Sequence, residues 1–135
     1  MANALYDAGR QGFLDGSIDW DTDDIRVILI DSGAYTVNLS THDFLDDVPG
    51  GARIAVSTSL TGKTTTAGVA DASDVTLTSV SGAQSEALIL YKHTGTDSTS
   101  RLICYIDTAT GLPITPNGAD IVIQWDNGSN KIFRL

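Results

Sequence analysis

The sequence predicts an all-β domain, an antiparallel β-sandwich or jelly roll of roughly seven or eight strands with two short helices. Three observations carry this. The chain holds 16 Asp, 16 Thr, 12 Ser and 13 Gly but a single Glu; Asp favours caps and turns, whereas Glu favours helix interiors. Short apolar runs recur along the second half, separated by turn residues. No segment between residues 54 and 135 reads as a crossover helix, which a parallel sheet would need.

Two runs are the most apolar part of the chain. Ala87-Leu-Ile-Leu-Tyr91 and Leu102-Ile-Cys-Tyr-Ile106 flank a polar loop and predict a long β-hairpin. Neither run alternates apolar with polar residues, as a strand with one wet face does. Both faces of the hairpin therefore need cover, because a fully buried Leu or Ile contributes about 1.5–3 kcal/mol. An opposing sheet can cover one face. For the other, the helices expected at 2–14 and 40–48 are candidates, and a neighbouring subunit is the alternative.

In chain order, ANALYDAGRQGFL at 2–14 predicts a short helix or arm, with Ala2, Leu5 or Tyr6, Gly9 and Phe13 on one stripe. Gly9 and Gly12 each cost about 1 kcal/mol in a helix, which fits a helix lying close against another surface. Asp19, Asp21 and Asp23 have the spacing that opens a calcium loop, but Asp24 stands where that loop needs Gly and Ile30 where it needs Glu. The Asp19–Asp24 stretch reads as a solvated acidic turn, with Trp20 packing back onto the core. Ile25–Ile30 is a strand. Ser40–Val48 has a helix-start pattern, Ser40 followed by Asp43, and ends at Pro49-Gly-Gly51. Strands follow at 54–58, 63–66, 75–80, 121–125 and 131–135, with a tight turn expected at Asp126-Asn-Gly128.

Chemistry is hard to place. Leu60-Thr-Gly-Lys-Thr-Thr65 imitates the end of a phosphate loop, yet Ser57 stands where the first Gly belongs. His42 and His93 lie in an expected helix start and a hairpin loop, and His42 has no Cys or second His nearby, so it reads as a surface histidine. Cys104 lies mid-strand and reads as an inert small hydrophobe. Trp20, Tyr35 and Trp125 are the candidates for a sugar-stacking platform, although Trp125 ends a buried-looking strand. The chain predicts no enzyme, no cofactor and no bound metal. A net charge of −9 with scattered Lys and Arg argues against nucleic acid. No apolar stretch approaches the roughly 20 residues of a membrane span, and the N-terminus has no signal-peptide pattern.

The stretches ALYDAGRQGFLDGSIDWDTDDIRVILID and DTATGLPITPNGADIVIQWDNGSNKIFRL, with HDFLDDVPGGARIA and SEALILYKHTGTDSTSRLICYIDTATG between them, resemble a family of small virion proteins of tailed bacteriophages. The resemblance spans nearly the full chain. It implies a non-enzymatic component of the virion, a cement or decoration protein that binds the major capsid protein or other virion subunits and stabilises the head shell. A tail, collar or fibre-base component is the alternative, and a carbohydrate-binding module a more distant one. A dimer or trimer is expected. The expected assembly contacts are the apolar arm at Leu5, Tyr6, Phe13 and Leu14 and the last strand at Ile132, Phe133 and Leu135.

Overall fold

The computed structural model describes residues 3–135, so Ala2 of the expected helical stripe lies outside the described residues. The strands are β1 (Ala4–Leu5), β2 (Ile25–Ile30), β3 (Arg53–Val56), β4 (Val69–Ala70), β5 (Val75–Leu77), β6 (Ala87–Lys92), β7 (Leu102–Ile106), β8 (Ile121–Ile123) and β9 (Phe133–Arg134). One α-helix, α1, spans Asp7–Asp15. All pairings between named strands are antiparallel. They form a five-stranded sheet in the order β1-β7-β6-β2-β3 and two small two-stranded sheets, β4-β9 and β5-β8.

The predicted hairpin is the centre of the large sheet. β6 pairs with β7 through Leu88↔Ile106, Ile89↔Tyr105 and Leu90↔Cys104. On its other edge β6 pairs with β2 over the whole of that strand, from Ile25↔Lys92 to Ile30↔Ala87. The pleat sends successive side chains to opposite faces, and both faces are apolar. Val27, Leu29, Leu88, Leu90 and Ile103 enter one cluster. Ile28, Ile30, Ala87, Ile89, Leu102 and Tyr105 enter a second.

The chain itself covers both faces. Over the first lie the small sheets, through Ala70, Leu77, Ile123 and Phe133, together with Ile18, Trp20, Leu60 and Trp125. Over the second lies the segment from Tyr35 to Ala52, through Tyr35, Leu45, Val48 and Ala52, with Val37 and Leu39 partly buried beside them. A neighbouring subunit is therefore not needed to bury the hairpin.

Segment 40–48 is not an α-helix. Asn38 Oδ1 accepts hydrogen bonds from the backbone N–H groups of Ser40 and Thr41 and from the Ser40 hydroxyl, at 3.0–3.2 Å. This local turn competes with helix formation, as short polar side chains do. The Asp43 N–H is taken by Asp47 Oδ2 at 2.9 Å, leaving only single 3-10 turns at Leu45–Asp47 and Gly50–Ala52. At the N-terminus, Ala4 and Leu5 are not helical: they pair with Tyr105 and Cys104 on the free edge of β7. α1 then begins at Asp7, where a carboxylate suits the positive helix end, and stops at Gly16 with φ 80°. Residues 63–66 make no strand, only a bridge between Thr64 and Asp71. The turn at 126–128 joins no hairpin, since β8 pairs with β5 and β9 with β4.

Candidate functional site

An apolar groove of about 380 Å³ opens where the C-terminal end of α1, the turn after it and the β4-β9 sheet meet. Its construction starts at Gly16, whose left-handed backbone turns the chain back so that the Ile18 N–H reaches the Gly12 carbonyl at 3.0 Å. This buries Ile18 and Trp20. The Trp20 indole N–H donates to the Asp71 carbonyl at 3.0 Å, which fixes the ring. Phe133 arrives on β9, held by the Ala70↔Phe133 register. Its ring stands edge-on to Trp20 at 5.3 Å and 85°, and tilted to Phe13 at 5.7 Å, both favourable aromatic geometries. Leu135 extends the groove, its N–H bonded to the Gly68 carbonyl at 3.1 Å. Exposed Asp19 and Asp21 flank it.

The expected assembly contacts separate into three kinds. Leu5 and Tyr6 are buried, at 7% and 0% exposure, and offer a partner nothing; they belong to the chain's own two clusters. Phe13, Ile132 and Phe133 are half-buried against the first cluster. Leu14 and Leu135 stand out, at 89% and 62% exposure. The structure thus joins the two expected patches, from opposite ends of the sequence, through Phe13, Phe133 and Leu135 in one groove. Trp20 was expected to pack inward, but nothing local in the sequence marks Val69 or Gly68 as its neighbours across the groove.

The acidic motifs cap backbone. Asp19 Oδ1 accepts from the N–H groups of Asp21 and Thr22, and Asp23 Oδ2 accepts from the Asp19 N–H and pairs with Lys92 at 3.2 Å. These carboxylates close a turn on themselves instead of converging on a cation. Among the described residues the one acidic trio with oxygens close together is Asp43, Asp46 and Asp47, and there Asp47 already holds the Asp43 N–H. In the phosphate-loop imitation, the Lys63 ammonium donates to the Asp23 carbonyl, so it serves as a strut between turns. The sugar-platform rings are all buried: Trp20 at 3%, Tyr35 at 4% and Trp125 at 7% exposure.

Each histidine meets a tyrosine hydroxyl through Nδ1. The Asn38 N–H donates to His42 Nδ1 at 3.3 Å, which makes that nitrogen an acceptor, so the Tyr35 hydroxyl at 2.8 Å donates to it. Tyr6, fully buried, in turn donates to the Tyr35 oxygen at 2.9 Å. Burial pushes the Tyr35 hydroxyl up to about 12 and raises Tyr6 further, burial again being the main cause. This chain ties the covering segment to the floor beneath it. Tyr35→Phe leaves the buried Tyr6 hydroxyl without its acceptor and is expected to cost about 1–2 kcal/mol in urea unfolding. His93 Nδ1 faces the Tyr91 hydroxyl at 3.3 Å.

Burial pushes the Cys104 thiol up to about 12, so the thiolate that reacts is scarce near neutrality. A thiol reagent such as Ellman's is expected to leave the native protein unlabelled near pH 8 and to label it completely in denaturant. Rapid labelling of the native state would mean that β7 is not closed.

No protein-family model matches the chain, and a search of curated proteins returns no match.

Proposed function

We propose that this protein is a non-enzymatic virion structural subunit, a cement or decoration protein of a phage head that docks through the aromatic groove. The virion setting rests on the sequence resemblance described above. The observation that carries the docking mode is the convergence of Phe13, Phe133 and Leu135 on one groove, with Leu14 exposed next to Phe13 in the chain. Buried aromatic clusters beside exposed apolar side chains are the usual anchors of protein interfaces. Asp19 and Asp21 flank the groove, and the chain carries a net charge of −9. The complementary partner is therefore a shell-protein segment with a large apolar side chain between Lys or Arg residues. The small sheets packed over the large one fit a β-sandwich whose second layer is broken in two.

Many copies on one shell raise the effective concentration of each contact, and binding the assembled form stabilises it by mass action. Shells lacking the protein are expected to gain heat resistance when it is added back. Leu14→Lys, which suits the last turn of α1 and repels a cationic partner, should lower shell occupancy at least about tenfold while leaving the protein's own stability within about 0.5 kcal/mol, since the side chain touches little. Shells equally heat-resistant with and without the protein would overturn the cement reading. A handful of copies per particle would move the proposal to the tail, collar or fibre base.

A further inference from the structure

Two asparagines of this chain are followed by glycine, Asn117-Gly118 and Asn127-Gly128, and the fold treats the two pairs differently. All four residues are exposed, so access to water does not separate them. Hydrogen bonding does. The Gly118 N–H donates to the Val80 carbonyl at 2.7 Å, and Asn117 Oδ1 accepts from the Ala119 N–H at 3.1 Å. The backbone nitrogen and the side-chain carbonyl of that pair are each held by a different partner.

At the second pair, among the described residues, neither the Gly128 N–H nor the Asn127 carboxamide has a hydrogen-bond partner. This pair lies in the loop between β8 and β9. The loop is anchored at its ends, by the Trp125 N–H on Asp74 and the Ile132 N–H on the Ala70 carbonyl. Between them the Lys131 N–H reaches the Gly128 carbonyl in a long bond of 3.4 Å. An unbonded backbone N–H next to an unbonded carboxamide is the arrangement from which an asparagine cyclises.

We propose that Asn127 is a site of spontaneous deamidation and that the fold protects the same dipeptide at Asn117. The Gly128 nitrogen gives its proton to hydroxide and attacks Asn127 Cγ. The new C–N bond closes a cyclic imide, and the side-chain nitrogen leaves as ammonia. Water then opens the imide at either carbonyl, leaving aspartate or isoaspartate. Gly128 has no Cβ to crowd the attacking nitrogen. The product adds a carboxylate to a chain of net charge −9. As isoaspartate it also lengthens the backbone tether of β9, the strand that carries Phe133.

The test is prolonged incubation of the full chain at mildly alkaline pH, followed by peptide mapping with mass spectrometry at both pairs. Conversion at Asn127 is expected to be at least about tenfold faster than at Asn117, where two hydrogen bonds must break first. In denaturant the two sites should convert at similar rates, which assigns the difference to the fold. Gly128→Ala should slow conversion at Asn127. Its methyl would first meet the Asp126 carboxylate, 2.9 Å from Oδ2, a side chain that can swing aside, and an unchanged melting curve will show that this variant folds. No conversion at Asn127, equal rates at the two native sites, the same disparity in denaturant, or an unchanged rate in the Gly128→Ala protein would each overturn the proposal.

Discussion

Gly9→Ala is expected to destabilise the protein by about 3 kcal/mol, although the same change in an open helix would stabilise it by about 1 kcal/mol. The reversal comes from what the new methyl meets. A Cβ on Gly9 would lie 2.6 Å from the Ile103 carbonyl oxygen and 2.9 Å from its Cα. Both are backbone atoms of a central strand and cannot rotate aside. At Gly12 the nearest atoms are instead the Ile18 and Arg101 side chains, at 2.5–3.0 Å, which can change rotamer. Gly12→Ala should therefore cost clearly less. Urea midpoints of the two variants check this, and a Gly9→Ala protein as stable as the wild type would mean that α1 does not press on β7.

Arg53→Met is expected to cost a similar amount, about 3 kcal/mol. The Arg53 guanidinium donates to the Val48 carbonyl at 2.7 and 3.0 Å and to the Leu45 carbonyl at 2.6 Å. It also pairs with Asp97 at 2.9 Å. One side chain therefore fastens the 3-10 turns that cover the second face to β3 and to the hairpin loop. Removing it strands the Val48 carbonyl, while the Leu45 carbonyl keeps only the Val48 N–H. Lys at this position carries the charge but not the planar fork and should restore little. Asp97→Asn should cost under about 1 kcal/mol, because Asp97 is half-exposed. Hydrogen exchange should localise the Arg53→Met effect to residues 35–52, where amides should exchange faster than in the wild type.

Strands whose signal was a run of apolar residues were legible in the sequence. β2 is found at Ile25–Ile30 as expected, and the hairpin strands differ from the expectation only by the addition of Lys92. These strands are buried on both sides, so composition alone marks them. The expected need to cover both hairpin faces also holds, and the close approach implied by Gly9 and Gly12 is found on β7 and Ile18. What was not legible depends on distant partners. Ser40 and Asp43 imitate a helix start, but the Asn38 carboxamide and Arg53 settle the local geometry. Ala4 and Leu5 fall within the helix expected at 2–14, Leu5 on its apolar stripe, until β7 offers them an edge. The candidate groove was half legible: the apolar residues at both ends were conspicuous, but their meeting depends on β4 pairing with β9.

The outer strands of the large sheet set how this protein can associate. On one side β1 is only two residues long, and on the other β3 opens on a charged Arg53 and meets β2 through a register slip at Leu29/Ile30. Neither margin presents a long, flat row of free amides and carbonyls, the template on which strands of other molecules add. A sheet this apolar would otherwise seed its own polymerisation. With both margins blunted, copies can accumulate at high concentration without fibrillating, and association is left to side-chain surfaces that a specific partner must match.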